Sequence, residues 1–215
     1  MKRRYFLWAG LIVLVTLVGT FFLYPRLPDT VAVHWNVHGQ ADRYGSKWEA
    51  LVLMPAVMVG LTLLVAALPW LSPRRYKVNG ARPGYLEMMI VLLVFFAYLH
   101  FALLTIDAGA PLNAAKAVLG GVCALFAAMG PVLTRLPRNF YVGVRTPWTL
   151  ANEQVWDSTH RFAAKCFTAT GLAGLVTTFA GGAFWATAVL LGIGATAPVV
   201  YSLVTYKQRE RRGEA

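Results

Sequence analysis

CFTATGLAGLVTTFAGGAFWATAVLLGIGATAPVVYSLVTY, residues 166–206, runs for 41 residues without an Asp, Glu, Lys, Arg or His. As a single helix it would reach about 60 Å, twice the ~30 Å hydrocarbon core of a bilayer. It therefore has to cross, turn and cross back, and Gly181-Gly182 is the natural turn. Four more apolar runs of spanning length precede it, at 5–24, 50–71 (with Pro55 and Pro69 near its ends), 86–106 and 114–134. The run 5–24 follows MKRR, as a signal peptide would. It is longer than the ~7–15 apolar residues of a cleaved signal, and Tyr24-Pro25-Arg26-Leu27-Pro28 offers no small-x-small cleavage site, so an uncleaved anchor is expected. The prediction is an all-α integral membrane protein, a polytopic bundle of six transmembrane helices with both termini on one side.

Composition agrees. The chain is 58% hydrophobic and 13% charged, with mean hydropathy +0.56, whereas soluble domains carry about 25% charged residues. Two cysteines, Cys123 and Cys166, exclude a disulfide framework. The net charge of +11 suggests nucleic acid until its distribution is read. Sixteen of the twenty Lys and Arg residues fall in 1–4, 72–85, 135–165 and 207–215, and four in 25–49 and 107–116. That asymmetry is the positive-inside pattern. It predicts cytoplasmic N- and C-termini, basic segments against anionic lipid, and no direct nucleic-acid binding. The chain is then expected to be a single six-span membrane domain, 1–215, made of a two-span module, 1–85, with an outer loop at 25–49, and a four-span region, 86–215, with a long inner loop at 135–165. Gly171, Gly174, Thr178 and Gly182 share one face of the fifth span and suit close helix contact.

In the outer loop, Val31, Val33, Trp35 and Val37 alternate with Ala32, His34, Asn36 and His38, the mark of an extended segment with one apolar face. Gly39 and Gly45 mark turns. His34, His38 and Asp42 are the candidate metal ligands. Four residues of strand span about 13 Å, so the two histidines could share a Zn²⁺ only if the stretch were helical or folded back. The plainer expectation is that these side chains hydrogen-bond within the loop and hold its shape.

The inner loop, RLPRNFYVGVRTPWTLANEQVWDSTHRFAAK, is too long and too aromatic for a simple connector. Thr149 is a candidate N-cap for a helix starting near Leu150, without a full capping box because Asn152 stands three residues on. On that helix Glu153, Trp156 and His160 share a face, and Leu150, Trp156 and Phe162 suit a helix lying on the membrane surface. Arg145 sits between Gly143 and the rigid Thr146-Pro147-Trp148, where its guanidinium would clamp a carboxylate or phosphate, or tie the loop to a helix C-terminus. His100 is the one ionisable side chain deep in a span. Such a residue suggests function by default, here a small transporter or channel, against a plain hydrogen bond to a neighbouring helix. No HExxH, GxSxG, P-loop or Rossmann fingerprint is present, so neither an enzyme nor a cofactor is expected.

The pattern Asn139-Phe140-x-x-Gly143-x-Arg145-Thr146-Pro147-Trp148-Thr149-Leu150, then Glu153-x-Val155-Trp156-x-x-Thr159-His160, resembles the signature of the SdpI family of bacterial membrane immunity proteins. Pro28, His34-Trp35-Asn36, Gly39, Asp42 and Lys47 resemble the short module often found before it. The resemblance implies a non-enzymatic membrane protein that gives resistance to a secreted peptide toxin met at the outer face. It also implies a receptor role in which the inner loop holds a cytosolic transcriptional repressor at the membrane. Individual roles for the signature residues do not come with it.

Overall fold

A computed structural model describes residues 2–36, 38–71 and 83–214. The four basic residues expected in the inner segment 72–85 lie outside them. Among the described residues six helices are long and apolar enough to cross a membrane: α1 (Lys2–Leu23), α2 (Lys47–Leu71), α3 (Pro83–Asp107), α4 (Ala114–Leu133), α6 (Glu153–Phe179) and α7 (Phe184–Arg211). A short helix α5 (Pro147–Ala151) precedes α6, and strands β1 (Thr30–Trp35) and β2 (Ala41–Ser46) form a hairpin between α1 and α2. Leu7, Phe21, Phe22, Trp70, Val176, Phe179 and Trp185 stand exposed on these helices, which suits lipid and not water. The fold class read from the apolar runs is the one observed.

The fifth span differs from expectation. It does not begin near residue 166 after a separate surface helix. α6 is continuous from Glu153, because no Gly or Pro interrupts the chain until Gly171. At its far end the Gly182 N–H donates to the Thr177 carbonyl at 2.8 Å and Gly181 has φ +82°, so the Gly-Gly pair closes a Schellman turn into α7.

Two compact units emerge. The first comprises Met1–Val65 and Met89–Val122. In it β1 sits on a small core of Leu27, Val31, Leu51 and Leu104, flanked by Leu23, Tyr24, Val33, Ala50 and Ala108. The second comprises Ala66–Met88 and Cys123–Ala215. Of the predicted small-residue face, Gly171, Gly174 and Thr178 lie buried on α6, whereas Gly182 falls past its end in the turn. A Cβ at Gly171 would stand 2.6 Å from the Cys123 carbonyl oxygen of α4, and one at Gly174 would stand 2.6 Å from the Cys123 sulfur. Phe126 stacks on Phe167 at 4.6 Å and Phe162 on Tyr201 at 4.4 Å, locking α6 to α4 and α7.

Candidate functional site

Two polar constructions interrupt the apolar scaffold, one in each unit. In the first unit the hairpin pairs Thr30 with Ser46, Val31 with Gly45, Ala32 with Tyr44, His34 with Arg43 and Trp35 with Ala41, with irregular register around Val33 and His34. That irregularity breaks the simple alternation: Val31 and Ala32 are both buried while His34 is exposed. Asn36 builds the tip. Its Oδ1 accepts from the His38 N–H at 2.9 Å and the Gln40 N–H at 3.1 Å, and its Nδ2 donates to Gln40 Oε1 at 3.2 Å. Gly39 has φ +78°, and a Cβ there would stand 2.9 Å from Asn113 Oδ1, so both backbone and neighbour demand glycine.

The chain does fold back, and it brings Asp42 to His34: Oδ1 and Nδ1 are 2.5 Å apart, both side chains exposed. His38 sits at the tip, tied there by its backbone. Among the described residues no three His, Cys, Asp or Glu side chains converge to hold a metal ion. Lys47 joins the start of α2 to the loop before β1, its Nζ 2.7 Å from Asp29 Oδ1 and 4.9 Å from the Tyr24 ring centroid. The hydrogen bond from Lys47 holds the Asp29 carboxyl below the usual carboxylate range. Deeper in this unit His100 meets Thr20 across α1 and α3, Nε2 to Oγ1 at 2.6 Å. Nothing in the sequence named Thr20 as its partner, with the Thr16 carbonyl behind it accepting the Thr20 hydroxyl at 2.7 Å, although two threonines four apart in a charge-free span are a legible signal.

In the second unit the predicted signature closes on itself as a knot. Asn139 is buried and makes all four of its possible bonds. Oδ1 accepts from the Tyr141 N–H at 2.7 Å and the Val142 N–H at 2.8 Å, and Nδ2 donates to the Pro137 carbonyl at 2.8 Å and the Val142 carbonyl at 2.9 Å. His160, also buried, uses both ring nitrogens. Nδ1 lies 2.8 Å from the Trp156 carbonyl, which only accepts, and Nε2 receives the Val144 N–H at 3.1 Å. The neutral ring with its proton on Nδ1 is the tautomer that satisfies both.

Gly143 passes over that ring with φ +113°, and a Cβ would fall on Nε2. Gly143→Ala is expected to cost ~1–3 kcal/mol for the backbone conformation and a further ~1–3 kcal/mol as the Val144 N–H loses its acceptor. Thermal unfolding of the detergent-purified protein reads the loss. Gly10→Ala, in open space on α1, serves as the neutral control.

The N-caps also differ from expectation. Thr146, not Thr149, caps α5, and Thr149 closes the capping box as the third residue in, its hydroxyl accepting the Thr146 N–H at 2.9 Å. Asn152 caps α6 through the Gln154 and Val155 N–H groups. Pro147 stands first in α5, where its missing N–H has no partner to lose. The last carbonyls of α5, Leu150 and Ala151, accept from Arg138 at 3.2 and 3.1 Å.

Trp156 is not a surface anchor. It is fully buried, stacks on His160 at 4.0 Å and donates its indole N–H to the Leu136 carbonyl at 2.9 Å. Glu153 lies in the first turn of α6 and is exposed. Arg145 turns neither to a helix C-terminus nor into a closed clamp; it donates to the Phe140 carbonyl and is otherwise exposed. Ser202 of α7, which sequence reasoning missed, receives the Trp148 indole N–H and lies 3.3 Å from the Thr146 hydroxyl. No motif announces it; it is a lone serine in an apolar span.

Residues 135–202 match the model of the SdpI/YfhL protein family. They form an SdpI/YfhL region. The match opens at the knot and ends on Ser202, the residue that seats the loop on α7. Residues 11–59 match a domain of unknown function, DUF1648, which includes Thr16, Thr20 and the hairpin. Over 161 residues, 75% of this chain and 75% of the relative, the chain is 27% identical to "Immunity protein SdpI" of Bacillus subtilis (strain 168). No solved structure matches it. With six helices of spanning length among the described residues and this likeness, the chain is a multi-pass membrane protein, and the relative it resembles is named as an immunity protein.

Proposed function

We propose that this protein is a non-enzymatic immunity protein of the bacterial plasma membrane. It gives its cell resistance to a secreted, membrane-active peptide. The observation that carries the reading is the likeness to an immunity protein across three quarters of both chains. The distribution of Lys and Arg supports the placement of surfaces: termini and 135–165 in the cytoplasm, hairpin outside to meet the peptide. In this reading the outer residues His34, Trp35, Asn36, Gly39, Asp42 and Lys47 hold the shape of the face that meets the peptide. The knot residues Asn139, Gly143, Thr146, Pro147, Trp148, Thr149, Leu150, Trp156 and His160 hold a cytosolic platform. Arg145 and Glu153, exposed on it, are the contacts offered to a repressor protein. The two-span module 1–85 and the four-span region 86–215 are the parts that divide these tasks.

Expression in a bacterium sensitive to membrane-active peptides is expected to raise survival against at least one member of a panel. Unchanged killing by every member would overturn the reading. Arg145→Ala combined with Glu153→Ala is expected to leave that protection intact while abolishing recruitment of a fluorescently tagged repressor to the membrane.

A further inference from the structure

The first unit holds a cleft beneath the hairpin that the inner-loop signature does not touch and that Trp35 of the outer loop helps to line. Its volume is about 70 Å³, several times the ~10–15 Å³ that one water needs. Leu53, Met54 and Trp35 give it an apolar wall, and Asp107, Glu49 and His100 supply its polar groups. No Lys or Arg is among its lining residues. His100 is 2% exposed, so its orientation is fixed by contacts and not by solvent.

The chain of hydrogen bonds settles which way its proton points. The Thr20 hydroxyl donates to the Thr16 carbonyl at 2.7 Å, so toward His100 Nε2 it can only accept. Nε2 therefore carries the proton, and Nδ1 is a bare acceptor with no partner among the described residues. Asp107 spends one oxygen on the Ala32 N–H at 3.2 Å and keeps the other. Glu49, also lining the cleft, is exposed, with no ion-pair partner among the described residues. Asp107 and His100 lie seven residues apart on α3, about 10 Å along the axis. The cleft is thus free of cationic side chains, with the Asp107 and Glu49 carboxylates, an apolar wall, and His100 about 10 Å along α3 from Asp107.

We propose that this slot binds an amphiphilic primary amine. The ammonium, which has three donors and no acceptor, sits at Asp107 with Glu49 drawing it in, and Trp35 offers an aromatic face. The apolar stem lies along Leu53 and Met54, and a hydrogen-bond donor further along the ligand reaches His100 Nδ1. A lysine side chain of a peptide and an amine-bearing lipid headgroup share this chemistry. The proposal does not rest on the immunity reading and is tested without any toxin.

The full chain is reconstituted in phosphatidylcholine nanodiscs and titrated with n-butylammonium, 6-amino-1-hexanol and tetramethylammonium by saturation-transfer NMR. The two primary amines are expected to bind and tetramethylammonium not. Asp107→Asn keeps an oxygen for the Ala32 N–H, so the hairpin stays seated, and is expected to weaken both amines at least about tenfold. His100→Phe is expected to remove the advantage of the amino alcohol over the simple amine. Equal binding of tetramethylammonium, or unchanged binding by a folded Asp107→Asn protein, would overturn the proposal. Repeating the titration with phosphatidylethanolamine in the disc, and with Nα-acetyl-lysine methylamide as ligand, separates the two sources: competition by the lipid assigns the slot to a headgroup, and binding of the lysine derivative without such competition assigns it to a peptide.

Discussion

Asn139→Ala unfolds the protein at a markedly lower temperature than the wild type, with an expected loss of about 3 kcal/mol or more. Two backbone N–H groups, of Tyr141 and Val142, and two carbonyls, of Pro137 and Val142, lose their partners at a buried site. Each such orphan costs ~1–3 kcal/mol, and the loop recovers part of that only by opening to water. Asn139→Asp is the informative companion. It keeps both N–H bonds but turns a carboxylate toward two carbonyls, so it too is expected to lose stability. Thermal unfolding in detergent reads both, and a near-normal Asn139→Ala protein would show that the knot does not organise the loop. By contrast, His34→Ala breaks a surface hydrogen bond to Asp42 whose side chains are 63% and 42% exposed, and such exposed pairs contribute ~0–1 kcal/mol.

Trp156→Ala is expected to be as damaging for a different reason. Removing a fully buried aromatic ring costs ~3–5 kcal/mol in lost transfer and cavity terms. The stack on His160 and the bond to the Leu136 carbonyl go with it. His160 then loses the face that orients it beneath Gly143. Trp156→Phe separates the terms, since it keeps most of the volume and the stack and gives up the indole N–H alone. The ordering expected in thermal unfolding is wild type, then Phe, then Ala. If Ala and wild type coincide, the ring is not part of the core described above.

How much of this the sequence disclosed depends on the kind of force involved. The spans were legible because lipid demands some 20 apolar residues, a requirement composition alone can reveal. The turn at Gly181-Gly182 was legible because charge-free length left nowhere else to reverse. The close contact at Gly171 followed from small-residue spacing. Trp156 misled because tryptophan suits a membrane interface and a buried core equally, and only packing decides between them. The cap at Thr146 was passed over because a threonine, not a Glu, completes the box with it. Asn139 was recognised as a signature position, but its four bonds to residues two or three away were not. Such Asx geometry is local and in principle readable. Ser202, His100 with Thr20, and the acceptor-lined slot need contacts 54 to 80 residues apart in the chain, which no local pattern contains.

Thr146 and Trp148 both meet α7 at a single oxygen, that of Ser202, which spends its own proton on the Val199 carbonyl at 2.6 Å. A helix turns by about 100° per residue. A one-residue slip or rotation of α7 carries that oxygen out of reach and strands the indole N–H. The helix and the loop therefore fit as a latch and its strike plate: turning α7 about its own axis engages or releases the tryptophan.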